Sequence, residues 1–149
     1  MTAGQVGELF ESDVPTVGAP QKKRGAKRRT AEDEFAYQVR ANGLPEPIRE
    51  HHFAKSLGRR WRADFCWPEP WMLIVEIEGL VVRRLAGQLV VMGRHASIKG
   101  FKDDAIKYAS AAMLGFHVLR FEQSQVKDRT AIEYTMRVLL QKGWEIDAG

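Results

Sequence analysis

The sequence predicts an α/β (α+β) fold in which helices flank a mixed β-sheet in three layers. Three observations point there. Helical apolar periodicity opens and closes residues 30–149, β-branched and aromatic runs fill the middle, and one short apolar strand follows the second helical stretch. The length of 149 residues suits one core and is too short for two. A composition of 44% hydrophobic and 28% charged residues belongs to a chain that mostly folds.

Taken in order, Thr30 can cap a helix running through AEDEFAYQVRA, with Phe35 and Val39 on its buried face. Asn42-Gly43 ends it, and Pro45 and Pro47 hold the next stretch extended. A short segment from Arg49 to Phe53 and a turn at Ser56-Leu57-Gly58 follow. RRWRADFCW and WMLIVEIEG form a hairpin across Pro68-Glu69-Pro70. LVVRRLAGQLVVM is a second hairpin turning at Ala86-Gly87. Residues 101–114 read as a helix with Phe101, Ala105, Ile106, Ala109 and Met113 on one side, and Gly115 stops it. FHVLRF is then a short buried strand, and a helix from about Asp128 to Gln141 buries Ile132, Met136, Leu139 and Leu140.

Charge is unevenly spread. Six cations and three acids fall within the first 30 residues, so that segment holds +3 of the net +4. Residues 1–29 are expected to be a disordered basic tail, suited either to nonspecific attraction to DNA or simply to solubility. The single cysteine, Cys66, excludes an intrachain disulfide framework and a cysteine zinc site, which fits a reducing, cytoplasmic setting. No apolar stretch is long enough to span a bilayer, so no membrane role is expected.

The acidic strand pair carries the chemistry. In WMLIVEIEG, alternation puts Met72, Ile74, Glu76 and Glu78 on one face, so two carboxylates extend an apolar row. Burying an ionised carboxylate without a partner costs several kcal/mol, which calls for a cation or an ion pair. A hairpin centred on Glu69 puts Asp64 opposite Ile74 and diagonal to Glu76. Asp64, Glu76 and Glu78 then offer only oxygen to one ion, which favours Mg²⁺ or Mn²⁺. The competing arrangement leaves Glu76 and Glu78 in solvent at the strand end, paired with Arg62 or Arg60.

The blocks RRWRADFCWPEPWMLIVEIEG, GRH and GFKDDAIKYASAAMLGFHVLRF resemble the PD-(D/E)XK nuclease superfamily. Within it they are most similar to small phage and prophage proteins related to very-short-patch-repair endonucleases and Holliday-junction resolvases. The resemblance covers residues 30–127. It implies a restriction-endonuclease-like three-layer core over residues 30–149, with Asp64, Glu76 and Glu78 holding Mg²⁺ or Mn²⁺. It also implies a helper acid on the first helix, Glu34 rather than Glu32. Where the family signature has Glu-x-Lys this chain has Glu76-Ile77-Glu78, and Glu78 can instead orient the attacking water. Lys107 is either a lysine that has migrated to the following helix or a surface partner of Asp103 or Asp104. His95, after Gly93-Arg94, is the candidate proton donor or phosphate contact. Arg60, Arg62, Arg94, Lys99 and Lys102 are the candidate DNA contacts, whereas Trp61, Trp67 and Trp71 read as core or hairpin residues. The resemblance implies a Mg²⁺-dependent endonuclease cutting DNA, with branched DNA as one substrate and a homodimer as its working form. The alternative is an inactive DNA-binding or assembly protein that keeps the fold. The 80–92 hairpin is an insertion relative to the family.

Overall fold

The computed structural model describes residues 29–79, 81–92 and 97–147. The expected basic tail, apart from Arg29, and the loop bearing Arg94 and His95 lie outside the described residues. Helix α1 (Ala31–Ala41) starts where Thr30 and Asp33 cap each other: Thr30 Oγ1 accepts from the Asp33 N–H at 3.1 Å, and the Asp33 carboxylate accepts from the Thr30 N–H at 3.4 Å. It ends at Asn42, followed by Gly43 at φ +68. Strand β1 (Ile48–His51) comes next, then a 3-10 turn at Lys55–Leu57. Strands β2 (Ala63–Trp67) and β3 (Leu73–Glu78) form the first hairpin, and β4 (Val81–Leu85) and β5 (Gln88–Met92) the second. Helix α2 (Ile98–Met113), strand β6 (His117–Glu122) and helices α3 (Gln123–Lys127) and α4 (Thr130–Gln141) complete the described chain. The five-residue α3 was not expected; Glu122 caps it by accepting from the Ser124 N–H.

The central sheet has the order β1-β2-β3-β6, antiparallel except for the parallel β3–β6 pair, so it is mixed. Strand β3 lies inside it, which explains why Leu73 to Ile77 are all buried instead of alternating. One face packs under α1, α3 and α4 through Phe35, Val39, Phe65, Val75, Ile132 and Leu139. The other carries Cys66 and Ile74 against Ala111 of α2. Among the described residues no helix is long and apolar enough to cross a membrane.

The expected register of the first hairpin needs correction. Phe65 pairs with Val75 and Cys66 with Ile74, so one more step puts Asp64 across from Glu76 rather than Ile74. The loop causes this: Trp71 and Met72 both donate to the Pro68 carbonyl, at 2.9 and 3.2 Å, which moves the hairpin's centre from Glu69 to Pro70. The partner moves by two positions, so every side chain keeps its face. The second hairpin turns where expected, at Ala86 (φ +49) and Gly87 (φ +79), the two positive φ values a type I′ turn requires.

Helix α2 is rotated relative to expectation. The apolar stripe read from the sequence is exposed, with Phe101 at 71%, Met113 at 70% and Ile106 at 54%. The stripe facing the sheet is Gly100, Asp104, Lys107 and Ala111. Polar residues win that face because the sheet presents Glu76 and Arg120 to them, and ionised partners cannot be left unpaired inside. Strand β6 is likewise an edge strand with mostly half-exposed residues, not the buried strand expected. On α4, Ile132 and Leu139 are buried as expected; Leu140 is 42% exposed and Thr135 takes a core position, its hydroxyl donating to the Ala131 carbonyl at 2.8 Å.

Candidate functional site

Five elements converge on a cavity of about 380 Å³. Helix α1 contributes Glu32, β1 contributes Glu50, β2 Asp64, β3 Glu76 and Glu78, and α2 Asp104, Lys107 and Tyr108, with Arg60 and Arg62 from the segment before β2. Carboxylate oxygens of Glu32, Glu50 and Asp64 lie within 4.8 Å of one another. Asp64 is held in place because its Oδ2 accepts from the Ile77 N–H at 2.8 Å, tying β2 to β3 just beyond their paired stretch. Glu50 reaches the group from a left-handed backbone, φ +52, which costs a non-glycine residue roughly 1–2 kcal/mol. Each outer acid has a cation behind it: Arg49 stands 3.3 Å from Glu32, and Arg62 stands 3.5 Å from Glu50. Burial, then the charges of Asp64 and Glu50, push the Glu32 carboxyl above its ordinary range.

Deeper in the wall, Lys107 Nζ donates to Glu76 Oε1 at 2.8 Å, and both residues are buried. Burial pushes the Glu76 carboxyl up to about 7 against the pull of Lys107, and neighbouring Asp64 adds to the rise. Asp64 therefore adjoins both the Glu32–Glu50 group and the Glu76–Lys107 pair. Arg120 of β6 braces the far side. It donates to Glu78, stands 3.9 Å from Asp104 and lies 4.2 Å over the Tyr108 ring. That clamp ties α2 to the sheet beside Lys107. Because Arg120 is partly exposed, Arg120→Ala is expected to lower stability by only about 1 kcal/mol, and Arg120→Lys to recover little of it, since an ammonium cannot fork between two carboxylates. Urea midpoints of the two variants check this.

No family model, curated protein or solved structure matches this chain.

Asp64, Glu76 and Glu78 all line the one cavity, as the strand pattern implies. The close carboxylate group, however, is Asp64 with Glu32 and Glu50. Glu76 is engaged by Lys107 and Glu78 by Arg120. Glu34 is displaced from the role expected for it: it pairs with Arg29 at 3.6 Å and hydrogen-bonds Gln38, while Glu32 faces the cavity. Helical spacing could have found this, because Glu32 precedes buried Phe35 and Ala36 by three and four positions. Lys107 is not on the surface but buried, with its ammonium donating to Glu76 across to β3. Arg60 and Arg62 are on the cavity rim, Lys99 lines an adjoining groove, and Lys102 is exposed on α2. Sequence reasoning missed Glu50 and Arg120, whose roles come from strand pairing, and also Asp104 and Tyr108, which the rotated α2 brings inward.

The donors fit a hard divalent ion. The close group offers three carboxylates and no nitrogen or sulfur, and it remains partly open to solvent.

Proposed function

We propose that this protein is a Mg²⁺- or Mn²⁺-dependent endonuclease of the PD-(D/E)XK type that hydrolyses phosphodiester bonds in DNA. One observation carries the reading: Asp64 stands between the Glu32–Glu50 carboxylates and a buried Glu76 that is ion-paired to Lys107. The connectivity supports it, because a helix, an antiparallel run, a helix and a parallel strand follow one another as in the restriction-endonuclease-like core.

Charge supports it too. The cavity sets six acids, Glu32, Glu50, Asp64, Glu76, Glu78 and Asp104, against Arg60, Arg62 and Lys107. Such a lining repels a phosphodiester unless divalent charge offsets it. When bound, Mg²⁺ would supply Lewis-acid polarisation of the phosphate and an activated water. Asp64 and Glu32, with Glu50 or Glu76, would hold it. Lys107 keeps Glu76 oriented and places a cation at the wall where charge accumulates on an attacked phosphate. Glu78, in the position of the signature lysine, is neutralised by Arg120, so Lys107 supplies the motif's positive charge in its place.

The test is a panel of linear, nicked, flapped and four-way DNAs incubated with Mg²⁺ or Mn²⁺. We expect cleavage that EDTA abolishes, and cleavage concentrated on the four-way form would make this a resolvase, whose two symmetric cuts a homodimer would place. Metal-dependent binding of DNA without any cutting would instead favour an inactive DNA-binding protein.

A further inference from the structure

A second groove adjoins the acidic cavity and shares one wall with it, the half-buried Trp61. It measures about 630 Å³ and is lined by Arg59, Ser97, Lys99, Gly100, Asp103 and Ile106 besides that tryptophan. Its charge has the opposite sign. Two cations face one acid, whereas on the other side of Trp61 the acids outnumber the cations two to one. Resting on the nuclease reading above, we infer that this groove is a backbone-phosphate subsite: the DNA strand passes from the cavity over Trp61 and lays its neighbouring phosphates on Arg59 and Lys99.

Three features favour a polyanionic strand. The Arg59 guanidinium is stacked 5.0 Å from the Trp61 ring centre, so an exposed arginine is ordered before any ligand arrives and loses little freedom on meeting a phosphate. Among the described residues Lys99 is ion-paired to an exposed Asp103 at 3.8 Å, one helical turn away, a contact weak enough to exchange for a phosphate. The groove also opens on the first turn of the long helix α2, whose N-terminal end adds fixed positive character to that of the two cations. Because the two grooves meet at Trp61, a continuous strand can occupy both, while a mononucleotide or inorganic phosphate can fill only one.

Binding of a labelled DNA oligonucleotide to the full chain in Ca²⁺, measured by fluorescence anisotropy across a salt series, tests this. The slope of log Kd against log salt should fall by roughly 1 for Arg59→Ala and for Lys99→Ala, and by about 2 in the double variant. Asp103→Asn should act in the opposite direction and tighten binding about two- to threefold, by removing a repulsive charge and releasing Lys99. Arg59→Lys should keep the slope yet bind more weakly than Arg59, because it retains the charge and loses the stacked fork. All three positions changed are exposed, and the basic residues before Thr30 are the same in every variant. Ca²⁺-dependent binding that these substitutions leave unmoved overturns the groove subsite alone. If even the unaltered chain shows no divalent-dependent binding, the nuclease reading falls and the subsite falls with it.

Discussion

Asp64→Asn is expected to reduce metal-dependent DNA cleavage roughly 10³-fold or more while leaving the fold as stable as before or more stable. The two effects have opposite signs for one reason. Asp64 adjoins Glu32, Glu50 and Glu76, so its charge is what a divalent ion needs and what the apo fold tolerates poorly. Asparagine keeps an oxygen that can accept from the Ile77 N–H, so the β2–β3 tie survives. Losing the charge removes one of the causes, after burial, that lift the Glu32 carboxyl, so Glu32 should move back toward its ordinary value. Melting curves separate the consequences. The unaltered protein should gain stability on adding Mg²⁺, as any ligand that binds only the native state provides, and the variant should gain little. In EDTA the variant should melt at the same temperature or higher. A variant that retains cleavage within tenfold would remove Asp64 from the metal site, and one that melts much lower would show that it serves the fold.

How much of this was legible in the residues depends on which interaction set each position. Helix α1 was readable because its signals are local: a Thr-x-x-Asp cap, an apolar pair four apart and an Asn-Gly stop all agree. The β4–β5 turn was equally local, since Ala86-Gly87 supplies the positive φ values itself. Helix α2 shows the limit. Its most regular apolar stripe, Phe101 to Met113, faces solvent, because the face turned inward answers to Glu76 on β3 and Arg120 on β6, which are distant in sequence. Periodicity ranks faces by hydrophobicity and cannot register a buried charge pair that crosses elements. Asp64 and Glu76 were findable because each sits in a run of apolar strand residues where a carboxylate is costly. Glu50 was not: its strand is short and exposed, and only the pairing of His51 with Ala63 and Arg49 with Phe65 brings it level with Asp64.

Lys107→Met should destabilise the apo protein by about 3 kcal/mol above about pH 8 and cost far less below about pH 5.5. The sign follows from Glu76, whose folded value of about 7 lies above its ordinary 4.5. A raised carboxyl value means the native state holds the proton more tightly than the unfolded chain does. Its contribution is therefore complete below about 4.5 and is lost as pH climbs through 7, to a total of roughly 3 kcal/mol at about 1.4 kcal/mol per unit. Lys107 opposes this loss, since its ammonium stabilises the ionised form at 2.8 Å. Replacing it with methionine removes the opposition, drives the Glu76 value higher still and extends the decline into more alkaline solution. In acid, Glu76 is protonated and needs no counter-charge, and methionine also avoids desolvating an ammonium, so the substitution becomes mild there. Glu76→Gln should flatten the pH dependence, and adding Lys107→Met to it should cost nearly the same at every pH. Urea midpoints in EDTA across the pH range, taken as a double-mutant cycle, measure the coupling directly. A cost for Lys107→Met that stays constant with pH would mean that Glu76 and Lys107 are not energetically linked.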